Sequence, residues 1–371
     1  MIRVLHLRQG KRLYGADRAV LALAAATADP FRALIGGVSP PGEPCELVEA
    51  ARAAGVEGVR FDTASRFDVR CARAVAKQVR EQDIRLLHAH DFKTLLVALI
   101  AGLLARVPVV ATYHGETRST LAVRLYELLA RVLGNFARAV AAVSQGLERT
   151  LSRWVLAAPV SFVPNGLAPA RPILAGERSD ARARLGLDAG ELVLAVIGRL
   201  SEEKGVAVLL AALRKLGDRA PLLLVAGDGP LREALEKAAL GLRVRWLGYL
   251  PDPRLAFAAA DALVIPSLTE GLPLVALEAA MLQRPLVATA VGELPVLLRG
   301  GAGLLVPPGD AAALAETIER LRDPALRRSI ADAALLRSRD YAVETMAASY
   351  AVLYRRALSM DAPAPMPSSS R

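Results

Sequence analysis

The sequence predicts an α/β protein with two doubly wound parallel sheets. Short strand-like runs that are apolar throughout alternate with helix-length segments, which is how parallel strands covered on both faces read. The series occurs twice, and 371 residues suffice for two domains that each bury a core. Hydrophobic residues at 53% and charged residues at 23% suit a globular α/β chain. With aromatics at 4%, the cores fall to Leu, Val and Ala.

In chain order the first-half runs are Val4–Leu7, Ala33–Val38, Leu86–His88, Val109–Tyr113 and Val140–Val143. The second-half runs are Leu192–Ile197, Leu222–Ala226, Val244–Leu247, Ala262–Ile265 and Leu286–Ala288. Between the two series, Pro164–Asp188 reads as the linker: it holds Pro164, Gly166, Pro169, Pro172 and Gly176 and lacks clear periodicity. This places the domains at 1–168 and 169–342. A helical pattern over Val343–Leu358 follows the second sheet. The Pro- and Ser-rich tail 361–371 reads as disordered.

The net charge of +10 is unevenly placed. Residues 1–168 carry 22 Lys and Arg against 14 Asp and Glu, and the remainder carries 25 against 23. A basic first half suits an anionic partner such as membrane lipid or a phosphorylated acceptor, and equally suits a solvated Arg-rich surface. Nucleic acid is not expected, because the chain has no recognised binding module or array of stacking aromatics. Cys45 and Cys71 form no motif, which fits a reducing cytoplasm. No signal-peptide core precedes the first strand. The longest apolar run, near Leu95–Ala105, is well short of the roughly 18 residues that span a bilayer, and reads as a buried helix.

Several turns at strand ends are site candidates. Gly15-Ala16-Asp17-Arg18 lies between the first strand and the helix Val20–Ala26, at the edge of a parallel sheet where ligands bind. The full dinucleotide fingerprint is absent, so a nicotinamide enzyme is not supported. An ordinary tight turn is the competing reading. His88-Ala89-His90-Asp91 ends another strand. Its two histidines share a face, yet no further Cys or His cluster supplies the remaining ligands, so no metal is expected and a structural or substrate-contacting role is favoured. Tyr113-His114-Gly115-Glu116 follows the strand Val109–Thr112 and places His114 at a sheet edge.

The second half carries more specific signals. Gly198-Arg199-Leu200-Ser201-Glu202-Glu203-Lys204-Gly205 follows a strand and sets two cations around a loop. Arg offers paired hydrogen bonds to phosphate and Lys a point charge, which a departing diphosphate needs. The competing reading pairs these cations with Glu202 and Glu203. Gly227-Asp228-Gly229-Pro230 is a turn opening into a helix. Pro266–Glu278 is the strongest segment: Gly271 and Pro273 mark a loop opening into a helix whose first N–H groups form an anion site. Glu270 precedes that helix and Glu278 lies about one turn into it. Carboxylates there would repel phosphate, and they make sense as acceptors for sugar and ribose hydroxyls. Glu278 is flanked by Leu277, Ala279 and Ala280, and a carboxylate in an apolar stretch needs a partner.

Taken together these motifs resemble the large retaining family four of GT-B glycosyltransferases. Its two glutamates, separated by seven residues, stand here as Glu270 and Glu278. Gly198-Arg199-Leu200 with Lys204-Gly205, Val163-Pro164-Asn165-Gly166, Gly227–Pro230 and Trp246-Leu247-Gly248-Tyr249 are similar to it too, and the resemblance extends to about residue 358. It implies the GT-B fold: two Rossmann-like domains facing a central cleft, with residues 1–168 on the acceptor side, 169–342 on the donor side, and Val343–Leu358 returning to the first domain. It also implies transfer of a hexose or related sugar from a nucleotide-diphosphate sugar to a hydroxyl acceptor with retention, without a metal or other cofactor. A cell-envelope or lipid-linked glycan is the expected acceptor, and the inner face of the cytoplasmic membrane the expected place of work.

By the same resemblance, Arg199 and Lys204 hold the diphosphate and Glu278 the ribose. Glu270 contacts the sugar, with His114 beside it, and the backbone of Gly271, Leu272, Pro273 and Leu274 meets phosphate or sugar. Gly15 lines the cleft. Gly198 and Asn165 fall in matching motifs, and the backbone around Leu247 and Tyr249 faces the base. Tyr14-Gly15-Ala16-Asp17 departs from the family's usual Gly-Gly, which bears on the acceptor. A nucleotide-sugar epimerase, a phosphorylase and a catalytically silent nucleotide-sugar-binding subunit are the alternatives.

Overall fold

The structure, a computed structural model, describes residues 1–10, 13–65, 68–115, 121–188 and 190–360. The tail 361–371 and Glu116 lie outside the described residues.

Two wholly parallel sheets form the molecule. The first contains β1 Ile2–Gln9, β2 Phe31–Ser39, β3 Glu57–Asp62, β4 Ile84–Ala89, β5 Val109–Tyr113, β6 Ala139–Ala142 and β7 Val160–Phe162, in the order β3-β2-β1-β4-β5-β6-β7. The second contains β8 Val193–Ile197, β9 Leu222–Ala226, β10 Val244–Gly248, β11 Ala262–Ile265, β12 Leu286–Thr289 and β13 Leu304–Val306, in the order β10-β9-β8-β11-β12-β13. Strand order reverses between β1 and β4 and again between β8 and β11. Such switch points open a crevice beyond the carboxyl ends of the strands.

The central strands are those the apolar runs mark. β4, β6, β9 and β11 are almost wholly buried, as strands covered on both faces must be. Three strands fall outside those runs: β3, β7 and β13. All lie at or near a sheet edge, and Glu57, Arg60 and Asp62 in β3 show why. A half-solvated strand does not need a continuous apolar run.

The segment 164–188 is not all linker. Ala175–Arg184 is a helix docked on the second domain. Arg178 and Arg182, four residues apart, both bond Asp261, and Arg182 also donates to the carbonyl of Ala259. This helix is held by ion pairs and not by an apolar stripe, so no apolar periodicity reports it.

The helix Val343–Ala357 packs on the first sheet. Met346, Tyr350, Leu353 and Tyr354 share a core with Val4, Phe31, Leu86 and Val110. Where the chain crosses between domains, Leu167 N–H donates to the carbonyl of Tyr341 and Val343 N–H to that of Leu167, so the two crossings run side by side. Cys45 and Cys71 are free and buried. Among the described residues no helix is long and apolar enough to cross a membrane.

Candidate active site

The two switch points face each other across a cavity of about 580 Å³ walled by both domains, within the range of about 300–1,000 Å³ usual for small-molecule sites. The first domain contributes the start of helix Gly15–Ala26, the residues after β4 and β5, and Tyr126, Glu127 and Ala130 of helix Leu121–Leu133. The second contributes the loops after β8, β9, β10 and β11.

On the second-domain wall, β8 runs into Gly198 and Arg199. Arg199 is exposed at the cavity and makes no ion pair with a described residue. Lys204 ends a short 3-10 turn, and Gly205 behind it sits at φ +62°, where an added Cβ would fall 2.0 Å from the Pro266 carbonyl oxygen. Only glycine allows the two loops to meet there. The contact brings Lys204 to the paired-glutamate segment: its Nζ lies 2.6 Å from Glu270 Oε1, which also accepts from Ser267 Oγ at 2.7 Å. Lys204 therefore does not pair with Glu202 or Glu203; Glu203 accepts from Ser201 instead. Gly227 packs on the carbonyl of Gly198 and steadies the Arg199 loop.

Gly271, Leu272, Pro273 and Leu274 lead into helix Leu274–Met281 at the cavity wall. The side chains of Leu272 and Leu274 are in the second-domain core, so a ligand meets their backbone. Gly271 lies against the other domain, where an added Cβ would be 2.6 Å from the His114 carbonyl oxygen. Asn165, which is buried, donates its Nδ2–H to the Leu272 carbonyl at 3.0 Å and ties the crossing segment to this loop. Leu247 does not reach the cavity. It packs on the second-domain core, and the wall at this end is made by Tyr249, Leu250 and Pro253.

The partner that Glu278 needs comes from the opposite domain. Arg18 Nη1 donates to Glu278 Oε1 at 2.8 Å, and Arg18 also bonds the Pro251 carbonyl. Burial raises the Glu278 pKa, and Arg18 opposes that shift. Tyr249 OH lies near the Leu13 carbonyl and Glu46, adding a second crossing at the same mouth.

On the first-domain wall, Gly15 is the first residue of its helix, and nothing lies within 4 Å of where its Cβ would be. Asp17 accepts the Tyr14 N–H and the Arg8 side chain, at 2.9 and 2.7 Å. Arg8 also donates to the His90 carbonyl. His114 lines the cavity and bonds His90, and burial and then Arg8 lower its pKa to about 3. It is a neutral ring at ordinary pH. His6, His88 and His90 place ring nitrogens within 4.8 Å of one another. His88 bonds Tyr354 and Thr112 and His6 Nδ1 bonds His90, while His6 Nε2 has no partner among the described residues.

The turns that hold Arg18 and His90 were site candidates in the sequence, but nothing there joined them to each other or to Arg8. For Arg18 a signal existed, since a carboxylate in the apolar stretch at Glu278 needed a partner.

Two parallel-sheet domains closing on a cavity of this kind are the GT-B architecture of glycosyltransferases. The family model described as Glycosyltransferase Family 4 matches residues 13–171, and that described as Glycosyl transferases group 1 matches residues 191–323. The phosphatidyl-myo-inositol mannosyltransferase of Mycolicibacterium smegmatis is 33% identical over 71% of this chain and 68% of its own length. The alpha-D-kanosaminyltransferase of Streptomyces kanamyceticus is 36% identical over 48% of this chain and 49% of its own. Among the other curated relatives compared, the matched share of the relative lies between 38% and 65%. Anabaena HepE, solved in complex with UDP-glucose, superposes with a TM-score of 0.84 over 95% of this chain and 99% of its own, at 24% identity. This chain belongs to the family-four glycosyltransferases, the group 1 glycosyl transferases.

Proposed function

We propose that the protein is a retaining, metal-independent glycosyltransferase that moves a hexose or related sugar from a nucleotide-diphosphate sugar to a hydroxyl of a cell-envelope or lipid-linked glycan. The observation that carries this reading is the spacing of charge on one wall: Lys204 paired with Glu270 at one place and Glu278 one helical turn further on. A diphosphate engages Lys204 and Arg199 as the bond from sugar C1 to the phosphate oxygen breaks. Those cations neutralise the leaving group, the task a divalent ion performs elsewhere. Glu270 is then free for sugar hydroxyls and Glu278 for the ribose. A bond forms from the acceptor oxygen to C1 on the same face, and the acceptor proton passes to the departing phosphate. That HepE was solved with UDP-glucose bound supports the donor class.

A thermal-shift screen of UDP-, GDP- and ADP-sugars identifies the donor, because a ligand of the folded state raises its stability. Product NMR then reads the anomeric configuration, and inversion contradicts the retaining assignment. Donor turnover without an acceptor would favour an epimerase.

The acceptor reading has its own support. Helix Leu121–Leu133 lines the cavity with Tyr126 and Glu127 and exposes Leu125, Leu129 and Val132 at spacings of four and three on another face. Phe136, Trp154 and Leu156 extend this surface, at 72%, 45% and 83% exposure. Asn135 holds them together by bonding the Trp154 carbonyl and the Leu156 N–H, and Arg131 lies over the Trp154 ring. An apolar patch with a basic domain around it fits an anionic bilayer, at which a lipid-linked acceptor reaches the cavity. Sedimentation with anionic vesicles at low salt should carry the protein down, and Phe136→Ser with Leu156→Ser should abolish this. Absence of binding by the unmodified protein contradicts the membrane reading.

A further inference from the structure

Glu293 is a buried carboxylate outside the cavity. It is 1% exposed and does not line the ligand space. It stands as the N-cap of the short helix Leu294–Leu297, yet its side chain makes no capping bond there. Instead, Glu293 Oε1 accepts the backbone N–H of Gln145, which belongs to the other domain. Glu293 Oε2 has no hydrogen-bond partner among the described residues. A buried carboxylate with one oxygen bare is a costly group. Burial accordingly raises its pKa, while the Gln145 N–H, then Arg149 and Arg299, oppose the rise and Glu148 adds to it.

What this bond joins gives it a role. On the second-domain side, the same residue holds the loop that carries Glu270 and Gly271: Glu293 N–H donates to the Gly271 carbonyl at 2.8 Å. Gly292 before it, at φ +57°, packs on the carbonyl oxygens of Glu270 and Gly271 so closely that no Cβ fits. On the first-domain side, Gln145 opens helix Gln145–Leu151 after β6, and the N–H of a first helical residue has no partner within its own helix. The cap of that helix does not use it either, because Ser144 Oγ accepts from the Leu147 N–H. Just before Ser144, Val143 donates its N–H to the Tyr113 carbonyl at 3.3 Å, and Tyr113 and His114 line the cavity. A continuous path of short contacts thus runs from the Glu270 loop through Glu293 and Gln145 to the first-domain wall.

We propose that Glu293 is a positioning residue that fixes the Glu270–Gly271 loop in register with the first domain, so that a sugar held on that loop faces its acceptor at reacting distance. The role in transfer rests on the sugar-donor reading of the cavity, while the clasp between the domains does not depend on that reading. Arg199, Lys204, Glu270 and Glu278, which a donor would meet, all belong to the second domain. Loss of the clasp therefore leaves donor binding in place and slows turnover, since a misplacement of about 1 Å between reacting groups can cost about 10²-fold in rate. The reach of the side chain matters more than its charge. Glutamine keeps an oxygen where Oε1 stands, whereas aspartate falls one methylene short.

The experiment breaks the bond from each side in the full-length protein. Glu293→Ala removes the acceptor. Gln145→Pro removes the donor and suits its place, because proline is tolerated at the first helical position and Ser144 before it is already extended. Residue-resolved hydrogen exchange reads the bond itself. The Gln145 amide should be protected in the unmodified protein, exposed in Glu293→Ala and Glu293→Asp, and protected again in Glu293→Gln. Binding and turnover are read with UDP-, GDP- and ADP-glucose, turnover as release of the nucleoside diphosphate. Glu293→Ala and Gln145→Pro should each lower that rate about 10- to 100-fold with donor Kd changed by less than about threefold, and the double variant should be no worse than the poorer single one. Glu293→Gln should recover most of the rate. An unprotected Gln145 amide in the unmodified protein, or losses that add in the double variant, overturns the clasp. A donor affinity that falls as far as the rate, or a rate unchanged when the Gln145 amide is exposed, overturns the positioning role. If Glu293→Ala fails to fold, Gln145→Pro still reads the same bond. Failure of all three donors to bind, with the Gln145 amide behaving as stated, would instead contradict the sugar-donor reading.

Discussion

Arg18 and Glu278 form an ion pair of 2.8 Å that joins the two domains across the mouth of the cavity. It carries a consequence for ligand binding, because the carboxylate that Arg18 holds is the one assigned to the ribose. Glu278 accepts from hydroxyls most strongly, and with both oxygens, when ionised. Burial raises its pKa and Arg18 offsets part of that rise. Donor affinity should therefore weaken as pH falls through the Glu278 pKa. Arg18→Met removes the offset, so its affinity should begin to fail at a higher pH than in the unmodified protein. Glu278→Gln should show no such step. Donor Kd measured against pH checks all three, and an identical midpoint with and without Arg18 would contradict the coupling.

The contact between Lys204 and Glu270 predicts a second outcome. The pair is partly exposed, at 30% and 10%, so it contributes little to folding. Lys204→Ala should lower kcat/KM by about 10²- to 10³-fold, the usual cost of removing a group that meets developing charge. Circular dichroism and thermal midpoint should stay close to those of the unmodified protein.

Gly271 sets how closely the domains approach. A methyl group there would stand 2.6 Å from the His114 carbonyl oxygen and 2.9 Å from Val143 Cγ2, both in the other domain. Gly271→Ala should hold the cleft apart. Turnover should fall while each domain stays folded, and small-angle scattering should show a larger radius of gyration. Unchanged scattering and turnover would contradict the seam.

His6, His88 and His90 predict acid sensitivity. All three are buried with pKa values lowered by desolvation. Above about pH 6.5 the rings are neutral both folded and unfolded, and they add no pH dependence. Below that value the unfolded chain takes up protons that the folded chain refuses. Stability should fall by about 1.4 kcal/mol per pH unit for each histidine, continuing down to about pH 3 for His6. Urea midpoints measured between pH 7 and pH 5 check the slope, and a flat profile would contradict the burial of neutral rings.

How far the sequence could be read depended on what each signal measures. Apolar runs report burial on both faces, so they marked the central strands and passed over β3, where Glu57 and Arg60 interrupt the apolar residues. Helix Ala175–Arg184 was hidden for a related reason, since Arg178 and Arg182 hold it through Asp261. In the site, the composition around Glu278 demanded a partner but could not say which, because Arg18 is 260 positions away. His6 sat within the apolar run Val4–Leu7 and was not singled out. Its bond to His90 depends on β1 and β4 being neighbours, which pattern alone does not state. The backbone around Leu247 was expected by the base because its motif matched; the Leu247 side chain packs on the second-domain core, and Tyr249 of the same motif lines the cavity.

Isothermal titration of UDP-, GDP- and ADP-sugars into the unmodified protein and Glu278→Ala bears directly on the donor site. One nucleotide class should bind the unmodified protein, and Glu278→Ala should weaken that binding at least about tenfold, consistent with loss of a charged hydrogen bond. Equal affinity in the two proteins, or no binding of any of these donors to folded protein, would contradict the assignment of this cavity to a nucleotide-diphosphate sugar.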